Sequence, residues 1–392
     1  MNEGSTIFSQ LIKLLAKRDF RRCVERYSGD KNIRTFSCWD QFLCMAFAQL
    51  TYRESLRDIE ACLRAVGVKL YHLGIRGKVS RATLADANEL RDWRIFADFG
   101  QAVIRQAQRE LVDEDFGIDL KNAVYALDST VIEVCLSLFP WSFWAERESK
   151  GGIKAHTLFD IKRNIPTFID ITERRVSDVS ALDKLRIEAE AFYVMDRAYL
   201  DFLRLYSIHK AGAFFLLRLK KNIALKRIYS HPVDETTGVR SDQTVRRSTA
   251  NAQRRMQYPE HLRRIHYYDE ETDQRLIFIT NNFEIAADVI AALYKSRWQI
   301  ELFFKWIKQN LRIKKFYGNS INAVRIQIWI AVTTYLLVAI AKKRLAIPHA
   351  HYTILQVFSV TLFEKKPIIK AFSEYNYNSI PDEQSNQLEL FR

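Results

Sequence analysis

Apolar positions recur at helical spacing through residues 1–116, and this stretch reads as helical throughout. Ser55–Val66 places Leu56, Ile59, Ala61, Leu63 and Val66 broadly on one side. Ser80 stands where it can cap a helix running RATLADANEL. Two such helices fit a helix-turn-helix variant with Arg76, Lys78 and Arg81 at its entry, and a plain helical bundle uses the same pattern. From Ala123 the period changes. Ala123–Val134 is rich in β-branched residues and predicts a strand. His156–Ile161 and Pro166–Ile171 predict two more, around a turn at Arg163–Asn164. Ser180, with Asp183 three residues on, predicts a helix start. Phe192–Met195 then reads as a short buried strand, Leu200–His209 as a helix and Ala213–Leu219 as a strand. Three strands, a helix, a strand, a helix and a strand describe an α/β core with a mixed sheet.

Residues 222–285 break that rhythm. They hold a turn-like stretch at Thr236–Gly238, a strand at Leu276–Thr280, and the pairs Arg246–Arg247, Arg254–Arg255 and Arg263–Arg264. They read as a β-rich insertion with a basic surface. A helical region follows to about Ala346, and Ser373–Arg392 is a polar tail. The longest apolar run, Ile328–Ala341, is interrupted by Thr333 and Thr334 and falls short of the roughly 20 residues a membrane span needs. It predicts a buried core helix and no membrane partner.

At 392 residues the chain is long enough for two or three units, and 48% hydrophobic residues can fill their cores. Only 12 Gly and 7 Pro exclude a disordered or collagen-like chain. Cys23, Cys38, Cys44, Cys62 and Cys135 are odd in number and form no CxxC, which argues for reduced thiols in a cytoplasmic protein. The N-terminus is a poor signal peptide.

Charge changes the picture most. The net is +14, which favours a polyanionic partner. Residues 295–344 hold eleven basic side chains and a single acid, Glu301. Exposed helices ordinarily mix signs, so a nucleic acid is the favoured partner for this stretch.

Three carboxylates carry the candidate chemistry. Asp128 lies within a predicted strand, in LDST, and Asp196 ends another, in MDRAY. A carboxylate buried in a strand is costly unless paired or metal-bound. With Tyr294–Lys308 taken as one helix at about 100° per residue, Tyr294, Arg297, Glu301, Lys305 and Lys308 share one polar stripe, and Arg312 returns to it. The bland reading is an Arg297–Glu301 surface pair. The sharper one puts Glu301 on a metal and its neighbouring cations on phosphates. Three carboxylates can hold two Mg²⁺ ions about 4 Å apart, with no His or Cys needed, for phosphodiester hydrolysis or transfer. Lys154 and His156 stand where they could approach DNA phosphate, with a plain strand-edge role the favoured reading, and His349 and His351 lack a third metal ligand.

Tyr294, Arg297, Glu301 and Lys308 also reproduce the spacing Y-x2-R-x3-E-x6-K. With Asp128 and Asp196 in order, the chain resembles the DDE transposases of bacterial insertion sequences, in the Tyr–Arg–Glu–Lys signature subgroup. The resemblance covers roughly Ala123–Ala346. It implies an α/β ribonuclease-H-like mixed-sheet core with Asp128, Asp196 and Glu301 as catalytic and metal-binding triad, and Mg²⁺ (two ions, Mn²⁺ able to substitute) as cofactor. It implies that Tyr294, Arg297 and Lys308 hold element-end DNA, and that the reaction is cut-and-paste with a hairpin step. Relatives can stack a flipped base on a Trp of the insertion. Residues 222–285 hold no Trp, and Tyr229, Tyr258, Tyr267 or Tyr268 would have to substitute.

The expected organisation is a helical DNA-binding domain at 1–116, core at 117–221, a β-rich basic insertion at 222–285, core completion at 286–346, and a C-terminal segment at 347–392. Lys305, Arg312, Arg246, Arg247, Arg254 and Arg255 are further expected DNA contacts. The partners expected are double-stranded DNA of the element's terminal inverted repeats and of the target, and a second copy of the chain as a homodimer on paired ends. Gln387, Leu388, Leu390 and Phe391, in QLELF, resemble the peptide that docks on the replication sliding clamp. The expected localisation is bacterial cytoplasm, associated with the nucleoid. The competing readings are a ribonuclease-H-like nuclease without strand transfer and a non-catalytic DNA-binding protein derived from a transposase.

Overall fold

The computed structural model describes residues 4–75, 77–111, 117–135, 139, 150–219, 223–248, 257–310 and 316–373. Six helices open the chain: α1 (Ile7–Ile12), α2 (Lys17–Arg26), α3 (Cys38–Leu50), α4 (Leu56–Val66), α5 (Arg81–Leu90) and α6 (Arg94–Glu110). Their starts follow side-chain caps. Ser37 and Asp40 form a reciprocal capping box on α3, and Ser55 and Ser80 accept from the backbones of Asp58 and Thr83. Ser80 thus caps the helix expected of it. A 3₁₀ segment, Gly67–Leu73, follows α4.

Among the described residues nine strands form one sheet: β1 (Val124–Cys135), β2 (Lys150–Asp160), β3 (Ile165–Glu173), β4 (Phe192–Met195), β5 (Phe214–Arg218), β6 (Leu225–His231), β7 (Val239–Arg247), β8 (Leu262–Asp269) and β9 (Gln274–Thr280). Their order is β3-β2-β1-β4-β5-β9-β8-β7-β6. β1–β2 and β2–β3 are antiparallel, while β1–β4 and β4–β5 are parallel. This 3-2-1-4-5 arrangement is the ribonuclease-H-like core the sequence led us to expect. The β2–β3 turn falls at Arg163–Asn164, with Asn164 at φ 55° and the Arg163 amide on Asp160. The strands of residues 222–285 extend this same sheet, because β9 pairs antiparallel with β5.

Between β4 and β5 lies α7 (Phe202–Lys210). After the sheet come α8 (Ala287–Ser296), α9 (Trp298–Asn310), α10 (Ile321–Arg344), α11 (His351–Thr361) and α12 (Lys370–Ser373). Strand side chains alternate between two apolar layers. Val124, Ala126, Phe159 and Val194 share a core with α10 and the N-terminal helices. Tyr125, Leu127, Tyr193 and Met195 pack with Phe202, Leu205 and Ile208 of α7. A strand buried on both faces reads as an unbroken apolar run, as Phe192–Met195 does.

The apolar run Ile328–Ala341 lies in α10, which is buried almost all round. Thr333 and Thr334 donate to the carbonyls of Trp329 and Ile330, at 2.8 Å each, so their hydroxyls are satisfied inside the core. Gly100 of α6 faces Trp329 so closely that a Cβ would sit 2.6 Å from the ring. The two helices cross there because that position lacks a side chain.

Two local expectations fail. Ser180 starts no α-helix: it lies inside a 3₁₀ turn, Asp178–Lys184, and its hydroxyl donates to the Ser177 carbonyl. The expected helix at Leu200–His209 begins later, at Phe202, because Asp201 supplies the cap.

Candidate active site

Parallel pairing of β1 with β4 ends at Leu127 and Met195, so the next residues, Asp128 within β1 and Asp196 just past the end of β4, lie side by side where that pairing stops. Alternation points Leu127 and Met195 into the α7 layer. It therefore turns Asp128 and Asp196 toward the layer that contains α9. Phe303 of α9 packs on Phe159 at 5.2 Å, and Phe159 pairs with Ala126 of β1. This anchors the helix over β1 and sets Glu301, half a turn earlier, against Asp128.

Tyr294–Lys308 is not one straight helix. α8 ends at Ser296 and α9 starts at Trp298, and the joint at Arg297 uses i→i+3 bonds (Arg297 amide to Tyr294 carbonyl 3.2 Å, Ile300 amide to Arg297 carbonyl 3.1 Å). This breaks the single polar stripe. Tyr294 turns inward, 9% exposed, with its ring 4.8 Å from that of Phe278. Burial raises its phenol pKa. Trp298 is exposed.

Arg297 links two of the carboxylates. Its Nη1 donates to Asp128 Oδ2 at 3.1 Å and its Nη2 to Glu301 Oε1 at 2.6 Å. The guanidinium lies 5.6 Å from the Tyr294 ring centroid, and its Nε is buried without an acceptor. Its side chain is only 15% exposed. The Arg297–Glu301 pair therefore exists, but it is no surface pair. Burial pushes the Asp128 carboxyl up to about 6, against the opposing pull of Arg297 and the Ser129 amide. The charges of Glu301 and Asp196 add to the rise. Among the described residues no three His, Cys, Asp or Glu side chains are grouped to hold one metal ion in this arrangement.

The other expected cations divide. Lys305 is half-buried on α9 and Lys308 exposed. Arg246 is exposed on β7, whereas the Arg247 guanidinium lies 3.8 Å over the Phe202 ring. Arg263, read as surface, is buried in a bidentate pair with Asp242 (2.7 Å). Arg76, Arg254, Arg255, Arg312 and the QLELF residues Gln387, Leu388, Leu390 and Phe391 lie outside the described residues. His351 is buried against Tyr335 (4.4 Å between rings), and burial drives its pKa down to about 3.

Lys154 and His156 are not at a strand edge. They lie within β2, between β1 and β3, on the face opposite Asp128. Lys154 Nζ pairs with Asp178 at 3.0 Å and donates to the Val176 carbonyl at 2.8 Å. Ser129 donates to the same Asp178 oxygen at 2.5 Å, and His156 Nδ1 stands 3.9 Å from it. Asp178 is half-buried, yet Ser129 and Lys154 hold its carboxyl below the usual range, while burial lowers the pKa of His156. Asp178 sits at the start of the 3₁₀ turn and was not among the expected site residues. The two-residue spacing of Lys154 and His156, which puts both on one face of a strand, was the available signal.

A ribonuclease-H-like sheet that sets Asp128 and Asp196 side by side on adjacent parallel strands, in a chain this basic, fits the class of phosphodiester-processing enzymes. Comparison with known proteins gives the family. Residues 119–337 match the family model described as "Transposase DDE domain", and residues 3–76 match one described as "Domain of unknown function (DUF4372)". A protein of Sinorhizobium fredii named as a transposase is 34% identical over 292 residues, 73% of this chain and 78% of that one. One of Geobacillus stearothermophilus, named as transposase for insertion sequence element IS5377, is 24% identical over 340 residues, 86% and 85% of the two chains. One of Synechocystis, named for element IS4SA, is 24% identical over 309 residues, 76% and 80% of the two. The chain belongs to the DDE transposases of bacterial insertion sequences. It is an enzyme of DNA cleavage and transposition, in a family that works with divalent metal ions.

Proposed function

We propose that this transposase excises its insertion sequence and joins it to target DNA with Mg²⁺ held by Asp128, Asp196 and Glu301. The observation that carries the reading is an aspartate within β1, an aspartate at the end of β4 and a helix-borne glutamate on one face, with a buried cation bonded to the first and the last. The donor set is all carboxylate oxygen, which suits a hard divalent ion, and the Arg297 guanidinium marks the place as one that favours positive charge. Two Mg²⁺ ions bound there, or Mn²⁺ in their stead, would activate the attacking water or 3′-hydroxyl and stabilise the leaving oxygen of an in-line displacement.

The residues of the chain do the rest. Arg297, Lys305, Lys308 and Arg312 hold phosphates of the element end, and Tyr294 supports Arg297 from beneath. This assigns the chain to the Tyr–Arg–Glu–Lys subgroup. Arg246, Arg254 and Arg255 extend the phosphate contacts along the insertion, with Arg247 fixing β7, which bears Arg246. The helical residues 1–116 contact DNA, residues 117–221 and 286–346 form the core around the insertion at 222–285, and residues 347–392 close the chain. Two copies act together on paired ends, in the bacterial cytoplasm at the nucleoid, and the Gln387–Phe391 peptide docks on the sliding clamp. Clamp retention unchanged by deletion of the last six residues would remove that last contact.

The test is cleavage of a labelled duplex carrying the element's own end, with Mg²⁺ or EDTA, by wild type and Glu301→Gln. Metal-dependent nicking at the end junction, lost in the variant, is the expected result, followed by joined products in a plasmid assay. Cleavage without joining would leave a nuclease; nicking untouched by Glu301→Gln would remove Glu301 from the centre.

A further inference from the structure

Arg297 holds the oxygens that a metal would need. Its Nη1 is bonded to Asp128 Oδ2 and its Nη2 to Glu301 Oε1, in a site whose side chains are mostly withdrawn from solvent. One guanidinium faces three carboxylates, and among the described residues the Asp196 carboxylate has no hydrogen-bond or ion-pair partner. The charge of the site is therefore only partly balanced. Arg297 is itself incompletely matched, since its Nε is buried without an acceptor. A guanidinium presents its donors as a planar fork that fits a phosphate. The side chain springs from the tightened joint between α8 and α9 and rests on the Tyr294 ring, with Lys305 and Lys308 further along the same helix.

From this geometry we infer that Arg297 is a built-in substitute for the divalent ion: it bridges Asp128 and Glu301 in the DNA-free protein and leaves them when a DNA phosphate takes its guanidinium. The inference rests on the proposed metal-dependent reading of this site. Arg297 and the ion compete for the same oxygens, while Arg297 and the phosphate attract each other. DNA binding therefore raises metal affinity, and by linkage metal raises DNA affinity by the same factor. A DNA-free enzyme keeps its cutting centre closed by a neutralising contact, and an engaged DNA end opens it.

The experiment measures Mn²⁺ binding to the full chain by electron paramagnetic resonance of the free ion, with a DNA-only control subtracted. It compares wild type, Arg297→Gln and Arg297→Lys, each with and without end duplex. Without DNA, Arg297→Gln is expected to bind Mn²⁺ about tenfold more tightly than wild type, within the usual range of coupling between sites. Duplex is expected to tighten Mn²⁺ binding of wild type by a similar factor and to leave Arg297→Gln within about twofold of its DNA-free value. Arg297→Lys, which keeps the charge but not the fork, should fall between. Equal or weaker Mn²⁺ binding by Arg297→Gln overturns the inference. Should that variant fail to fold, wild-type Mn²⁺ affinity indifferent to duplex overturns it as well. Mn²⁺ binding that is lost in Asp128→Asn and Glu301→Gln but blind to Arg297 would sink the inference alone. Binding unaffected by those carboxylate variants would sink the underlying reading of the site.

Discussion

Asp128 and Ser129 are neighbours on β1, yet they face opposite sides of the sheet and enter two different polar clusters. On the α9 side, Asp128 and Glu301 share one guanidinium that keeps an unmatched Nε, and Asp196 stands beside them unpaired among the described residues. On the other side a single carboxylate, Asp178, is met by a serine hydroxyl and a lysine, with a histidine near. The pKa shifts run in opposite directions: Asp128 is pushed up to about 6, while Asp178 is held below its usual range. A site whose charges are left over is built to receive something. A site whose charges are matched is built to hold the fold.

The contrast can be broken by substitution, and the largest effect belongs to the α9 side. Glu301→Gln should lower metal-dependent end cleavage by roughly a thousandfold or more, since stabilisation of several kcal/mol at the reacting phosphate would go. Its fold should persist, checked by thermal melting.

Asp178→Asn comes next, and it acts on stability. It leaves Lys154, nearly buried, without its charge partner. A loss of about 3 kcal/mol in denaturant unfolding is expected, with cleavage per folded molecule close to wild type. An acid limb follows from the same cluster. His156 has a depressed pKa, so its contribution is lost as pH falls below about 6.5, where the unfolded histidine takes up a proton. Asp178 has a depressed pKa too, so its contribution is lost as pH falls through the carboxylate range. Wild type should lose stability in those two stages, and Asp178→Asn should lose less in the lower one, which Asp92, Glu110 and Asp269 also feed.

Asp128→Asn should do the reverse. A raised carboxyl pKa means that ionising Asp128 costs the folded state, a cost that develops as pH rises from 3.8 to about 6. In metal-free protein at pH 7 the variant should gain on the order of 3 kcal/mol relative to its effect at pH 3. A stability loss at pH 7 equal to that of Asp178→Asn would erase the distinction between the two faces. The smallest effect is Lys308→Ala, which should weaken end binding severalfold and make the salt slope shallower by about one unit. An unchanged slope would take Lys308 off the phosphates.

Sequence patterning made the core strands and β9 legible where they are apolar and bounded by turns, while β6, β7 and β8, polar and partly exposed, carried no such signal. Phe192–Met195 was read to the residue, and the turn at Arg163–Asn164 fell where expected. Asp128 and Asp196 were visible as charges beside apolar runs. What sequence could not show was relation across the chain. Tyr294–Lys308 carries an unbroken helical pattern, so the joint at Arg297 and the burial of Tyr294 came only with tertiary packing against Phe278. Asp178 has no local signal either, because its partners Ser129, Lys154 and His156 arrive from two other strands. Arg263 reads as surface charge until Asp242, on the neighbouring strand, is seen to meet it.

The central claim is that the carboxylates around Arg297 form the cutting centre and the cluster around Asp178 does not. The most direct test compares Glu301→Gln with Asp178→Asn in one assay, nicking of an end-bearing duplex per folded molecule in Mg²⁺ and in EDTA. The account predicts metal-dependent nicking by wild type and Asp178→Asn and none by Glu301→Gln. Nicking that survives Glu301→Gln but is lost in folded Asp178→Asn would place the chemistry on the opposite face of the sheet and contradict the account.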